Sequence, residues 1–176
     1  MTAPLTVLVV CTGNVCRSPL AERLLQARLG ERAVVRSAGV RGLDGAAMDP
    51  SAEAELVRRG GDPTGFAARR VRVTDVHAAD LVLTMTTAQR SEVLVEAPAA
   101  LHRIFTLREL AHLLATVEPA PLDPDAIADL ARRRGSATLE RYDIADPIGA
   151  PPEVHAEVAT EIDEAVAAIV ERFHPR

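Results

Sequence analysis

Residues 7–22 read VLVVCTGNVCRSPLAE. The apolar run Leu5 to Val10 predicts a buried strand, and that strand ends at Cys11. A short polar loop follows, Thr12-Gly13-Asn14-Val15-Cys16-Arg17-Ser18. Pro19-Leu20-Ala21-Glu22 then opens a helix, with Ser18 suited to the N-cap, Pro19 to the first helical position and Glu22 to the needs of the first turn. A cysteine therefore stands where a strand ends and an arginine where a helix begins, with loop N–H groups facing one point between them. Such a loop holds an oxyanion and favours a thiolate at once.

Outward from this stretch, strand and helix signals alternate. Arg17 to Leu29 carries Leu20, Leu24 and Leu25 on one face, with Gly30 placed to end it. Ala33 to Ser37 predicts a second strand, followed by the turn Ser37-Ala38-Gly39 and a glycine-rich loop from Val40 to Ala47. Asp49 and Pro50 start a helix that Gly60-Gly61 stops. Thr74 to His77 suits a single helical turn, Asp80 to Met85 a third strand, Thr87 to Val95 a helix and Leu101 to Phe105 a fourth strand. Thr106 caps Leu107 to Ala115, Asp125 to Arg134 reads as an extra helix, and Glu153 to Phe173 as a long closing helix. The alternation predicts an α/β fold: a four-stranded parallel sheet with helices on both faces and a phosphate-binding loop after the first strand. Ligands of such sheets bind at the carboxyl ends of the strands, where Cys11 stands. We read residues 1–176 as one domain, with an insertion near 118–143 that is either an ordered addition or a mobile flap.

Composition narrows the classes. Of 176 residues 48% are apolar but only 2% aromatic, so the core is aliphatic. A net charge of −5 argues against a general nucleic-acid binder. No stretch reaches the length of a membrane span, and MTAPLTVLVV lacks the basic region of a signal peptide. Both cysteines of the chain lie in one loop. That is no disulfide framework and, with no further Cys or His close by, no zinc site, so we expect a cytoplasmic protein without metal or cofactor. The five histidines, His77, His102, His112, His155 and His174, share no spacing and read as surface or packing residues.

The chemistry turns on Arg17. Its planar fork matches two oxygens of a tetrahedral phosphoryl group, while the amides of Thr12, Gly13, Asn14, Val15, Cys16 and Ser18 can take the others. Cys11 then lies in line for attack on phosphorus, through a phosphocysteine intermediate. One carboxylate can protonate the leaving oxygen and later deprotonate water. Asp146, in a Pro/Gly loop of the kind that overhangs a pocket, is the favoured candidate; Asp123 and Asp143 are the others.

CTGNVCRSPLAE resembles the signature of the low-molecular-weight protein tyrosine phosphatases: a cysteine, five residues, then Arg-Ser. Ser37-Ala38-Gly39, the strand from Asp80 to Met85 and Asp146-Pro147 extend the resemblance over most of the chain. It implies Cys11 as nucleophile, Arg17 as phosphate clamp and Asp146 as general acid. It also implies Asn14 and Ser18 as organisers of the loop, and Cys16 as a neighbour able to form a reversible disulfide with the nucleophile. Ser37 reads equally as a loop support or a strand-end cap. Four departures bear on specificity. Ile148-Gly149 follow Asp-Pro where eukaryotic members carry aromatic residues, and Leu43 stands where an aromatic wall is common. Phe66 stands near the place of a histidine that precedes Arg69, and the segment between Leu107 and Asp143 is long. Leu43 and Ile148 are thus the expected pocket wall.

The implied function is metal-independent hydrolysis of phosphotyrosine on proteins, with a bacterial tyrosine kinase among the candidate partners and neither nucleic acid nor membrane involved. Three alternatives stand beside it. A phosphoarginine phosphatase would carry threonine where Val15 stands. An arsenate reductase needs later cysteines, and none follows Cys16. A binding module with lapsed catalysis would not require Cys11, Arg17 and Asp146 together.

Overall fold

The computed structural model describes residues 3–172. Phe173, predicted as the end of the closing helix, and His174 lie outside them. The four strands are β1 (Leu5–Cys11), β2 (Ala33–Gly39), β3 (Leu81–Thr84) and β4 (Ile104–Thr106), all parallel in the order β2-β1-β3-β4. β1 is central, pairing Val7 with Val35 on one side and with Leu81 on the other. Being buried on both faces, it needs no polar alternation, which is why it reads as a continuous apolar run.

The pleat sends alternate residues of β1 to opposite faces. Val7, Val9 and Cys11 join a core built with Leu20, Leu24 and Leu25 of α1 (Arg17–Leu29), Leu56 of α2 (Pro50–Arg58), and apolar residues of three later helices. Leu8 and Val10 face the smaller core, with Val76 of α3 (Val73–Ala78) and Val93 of α4 (Thr87–Glu96). On the first face the later helices are α5 (Leu107–Ala115), α6 (Pro124–Arg132) and α7 (Pro152–Val170). Val158, Ile162 and Val166 of α7 are buried there, as its apolar stripe predicts.

Several boundaries differ from expectation for identifiable reasons. The fourth strand begins at Ile104 rather than Leu101, because Pro98–His102 form a 3-10 turn that leaves Leu101 exposed. The first helix begins at Arg17 with Cys16 at the N-cap, so Ser18 lies inside the helix and makes no capping bond. Glu22 does not serve the first turn either: it accepts from Ser37 Oγ. Pro19 is tolerated because the first-turn N–H groups have no intrahelical partners in any case. Asp49 caps α2 as predicted, accepting from the N–H groups of Ser51 and Ala52.

The segment 118–143 contains α6. Leu122, Ile127 and Leu130 enter the first core, and the Arg134 guanidinium lies 4.4 Å from the centre of the Phe105 ring. α6 packs on α5 and on the turn at 98–102. Among the described residues no helix is long and apolar enough to cross a membrane.

Candidate active site

At the carboxyl end of β1 the chain leaves the sheet as a loop whose carbonyls are drawn outward. Cys11 O accepts from Val40 N–H at 2.9 Å, Thr12 O from Arg41 N–H at 2.9 Å, Gly13 O from Leu43 N–H at 3.1 Å and Val15 O from Asp49 N–H at 2.7 Å. In a trans peptide C=O and N–H point in opposite directions, so outward carbonyls turn the amides that follow them toward the loop's centre. Gly39 makes this close approach possible. A Cβ there would stand 2.4 Å from Thr12 O and 2.9 Å from Asn14 N.

Asn14 is the hub of the loop. It is fully buried and has φ 58, in the left-handed region that asparagine tolerates. Its Nδ2 donates to Ser18 Oγ at 2.9 Å and to Ser37 Oγ at 2.8 Å, and its Oδ1 accepts from Arg69 N–H at 2.9 Å. The backbone donor on Oδ1 fixes which end of the amide is which. Ser37 thus bonds to the loop through Asn14, and its own hydroxyl donates a hydrogen bond to Glu22. The Arg69 amide satisfies Asn14 directly, and Phe66 packs against the first core instead.

Cys11 is 2% exposed, with Sγ 2.9 Å from Ser18 Oγ. Ser18 Oγ already accepts from Asn14, so its proton is free to point at sulfur, where it would stabilise a thiolate. Ser18 thus bonds to the Cys11 thiol rather than to the helix end.

Arg17 is 3% exposed. Its Nη1 is anchored on Ile144 O at 2.9 Å, and its Nη2 meets Asp146 Oδ2 at 2.8 Å. Nε is buried and has no hydrogen-bond partner among the described residues. The Nε/Nη2 edge, which can grip two oxygens side by side, thus has Asp146 as its one partner among the described residues. Asp146 has 48% of its side chain exposed and its Oδ1 takes the Ile148 N–H at 3.3 Å. The rival carboxylates have other work: Asp123 caps α6, and Asp143 accepts from Thr87 N–H at 2.7 Å. Leu43 and Ile148 are exposed apolar residues, Leu43 against the loop and Ile148 two residues from Asp146.

Cys16 and Cys11 are both free and buried. Burial first, then the carboxylate of Asp49, push the Cys16 thiol up to about 12. Sequence reasoning missed three contributors. Gln89 donates from Nε2 to Thr12 Oγ1 at 3.1 Å while its Oε1 holds the N–H groups of Met85 and Thr86. The pattern Thr86-x-x-Gln89 signals the cap but not the reach to the loop. Asp49 backs the loop through Val15, and His155 is buried beside Cys16 and Asp49; neither has a spacing that announces it.

Residues 6–129 match the family model for low molecular weight phosphotyrosine protein phosphatase. The match contains Cys11 to Ser18 and stops short of Asp146, so Asp146 rests on geometry. The probable low molecular weight protein-tyrosine-phosphatase EpsP of Ralstonia nicotianae is 40% identical over 105 residues, 60% of this chain and 72% of that one. The YwlE arginine phosphatase from Geobacillus stearothermophilus superposes with a TM-score of 0.75 at 27% identity, covering 96% of this chain and 92% of the other. The low molecular weight protein tyrosine phosphatase from T. tengcongensis gives a TM-score of 0.74 at 29% identity, covering 95% and 98%. With its parallel sheet and its cysteine-to-arginine loop, the chain belongs to the low molecular weight phosphotyrosine protein phosphatase family.

Proposed function

We propose that this phosphatase hydrolyses phosphotyrosine on protein substrates, without a metal ion, as a single domain over residues 1–176 with 118–143 as an insertion. The observation that carries the reading is the meeting of Asp146 with Arg17 at 2.8 Å, at the mouth of a loop that holds Cys11 at its base. A phosphoryl group in the loop takes its oxygens' hydrogen bonds from the amides and from the Nε/Nη2 edge of Arg17. The Cys11 thiolate, hydrogen-bonded by Ser18, attacks phosphorus in line. A P–S bond forms as the P–O bond breaks, and Asp146 gives its proton to the departing phenolate oxygen. Asp146 then takes a proton from the water that attacks the phosphocysteine, and inorganic phosphate leaves with the thiolate restored. The setting we propose is reducing and cytoplasmic, on the placing of both cysteines in one loop of the sequence. Cys16 keeps its resemblance-derived role as redox partner, and a bacterial tyrosine kinase remains a candidate substrate.

A second reading has its own support. The protein-arginine-phosphatase of Geobacillus stearothermophilus is 27% identical over 97% of both chains, a longer match than EpsP offers. The aliphatic rim of Leu43 and Ile148 also lacks an aromatic ring to sandwich a phenyl group. Val15 in place of threonine favours the aryl ester. A comparison of kcat/KM on phosphotyrosine, phosphoarginine and phosphoserine peptides, with a chelator present, decides between them. Phosphotyrosine is expected to lead by at least roughly tenfold, and loss of turnover to the chelator would sink the metal-free mechanism. C11S is expected to abolish turnover while keeping oxyanion binding. D146A is expected to lower kcat/KM by roughly 100-fold for phenyl phosphate and much less for esters with acidic leaving groups.

A further inference from the structure

The loop that carries Asp146 is held differently on its two flanks. Before Asp146, Asp143 accepts from Thr87 N–H at 2.7 Å, Ile144 N–H donates to Met85 O at 2.9 Å, and Ile144 O accepts from Arg17. After it, the chain turns through exposed Ile148 and through Gly149 at φ 76, then enters α7 from Pro151 with no side-chain capping bond. The first buried residue of α7 is His155, 4% exposed. Its Nδ1 lies 3.8 Å from Cys16 Sγ and 3.8 Å from Asp49 Oδ1. At that length an N–H···O bond is not made, whereas the larger sulfur still reaches. The contact that His155 makes at this end of α7 is therefore the one between Nδ1 and the Cys16 sulfur. Cys16 immediately precedes Arg17, and Asp49 N–H holds Val15 O. His155 thus ties the start of α7 to the back of the phosphate loop.

We infer that His155 is a positioning residue for proton transfer: through Cys16 it sets the start of α7, and with it Asp146, in register with the phosphate loop. This rests on Asp146 being the general acid. A residue that merely supported the fold would slow all substrates alike. One that places the acid matters in proportion to how much the leaving group needs a proton. The test is kcat/KM over aryl phosphates graded by leaving-group acidity, together with inhibition by inorganic phosphate. H155A is expected to lose about tenfold on phenyl phosphate and less than about twofold on 2,4-dinitrophenyl phosphate, with phosphate inhibition unchanged. H155N, whose Oδ1 can stand near the place of Nδ1, restores the wild-type dependence. C16A, which removes only the thiol, shows the same graded loss whether or not H155A folds, and the double variant loses no more than either alone. A uniform loss across the series, a parallel weakening of phosphate inhibition, or no loss would overturn the inference. D146A is run alongside. A steep dependence in D146A with a flat one in H155A refutes the role of His155 alone, whereas a flat D146A removes the acid assignment and this inference with it.

Discussion

Asn14 offers the sharpest test of how the phosphate loop is shaped. Asn14→Ala removes three side-chain hydrogen bonds, to Ser18, Ser37 and the Arg69 amide, all within a residue that is 0% exposed. Each is worth about 1 kcal/mol net, with more to lose where a buried partner is orphaned. The backbone adds a second cost. At φ 58 an alanine sits in the left-handed region with no polar side chain to compensate, for about 1–2 kcal/mol. The expected total is roughly 4 kcal/mol, a large share of a typical stability of about 5–15 kcal/mol, and a melting point lower by about 10 °C. Asn14→Gly loses the same bonds but not the strain, so it should be the more stable variant by about 1–2 kcal/mol. That reverses the usual order of alanine and glycine, which makes it diagnostic. Both variants should lose roughly 100-fold in kcat/KM, since a loop displaced by about 1 Å misdirects its amides. The assay is urea unfolding followed by steady-state kinetics on phenyl phosphate. If the alanine variant matches or exceeds the glycine one in stability, the backbone argument is wrong. If Asn14→Ala keeps its activity within about threefold, Asn14 does not shape the loop.

Two further outcomes follow from the same region. Gly39→Ala drives a Cβ to 2.4 Å from Thr12 O and 2.9 Å from Gly42 Cα, both backbone, so it should cost about 3 kcal/mol and most of the activity. Gly135→Ala, with nothing within 4 Å, is the neutral control in the same melting and rate measurements. Cys16 should resist alkylation at pH 8 while Cys11 reacts and inorganic phosphate protects it, read by mass spectrometry after digestion. The Cys16 thiol is raised from 9.0 to about 12, so above about pH 9 the unfolded chain gives up a proton that the folded chain keeps. Its contribution to stability is complete below pH 9 and drains away as pH rises toward 12. Urea midpoints from pH 8 to 11 should therefore fall less steeply in C16A than in the parent, and equal slopes would refute the assignment.

How far the site could be read from the chain depends on how far apart its parts lie. Strand, loop and helix fall within 16 residues, and their chemistry is local: a thiol, a ring of amides and a guanidinium need only the right order. Asp146 could be singled out because Asp-Pro in a turn-rich loop suggests an overhang, and the fold sets it against Arg17, 129 positions away in the chain. The rest depended on choices between competing uses of one side chain. Ser18 before a proline reads as a helix cap, but its hydroxyl lies 2.9 Å from the Cys11 sulfur while Cys16 takes the cap position. Gln89 reads as the second half of a capping box and is that, yet its amide nitrogen also clamps Thr12 across the sheet. His155 had no readable role, because its meaning comes from α7 crossing behind the loop, which no period of 2 or 3.6 encodes. The residues of the loop are thus written locally, and those that pack behind it are written in the topology. Substitutions far from Cys11 in sequence, at 89 and 155, are accordingly where relatives sharing the same loop can differ in how firmly they hold it.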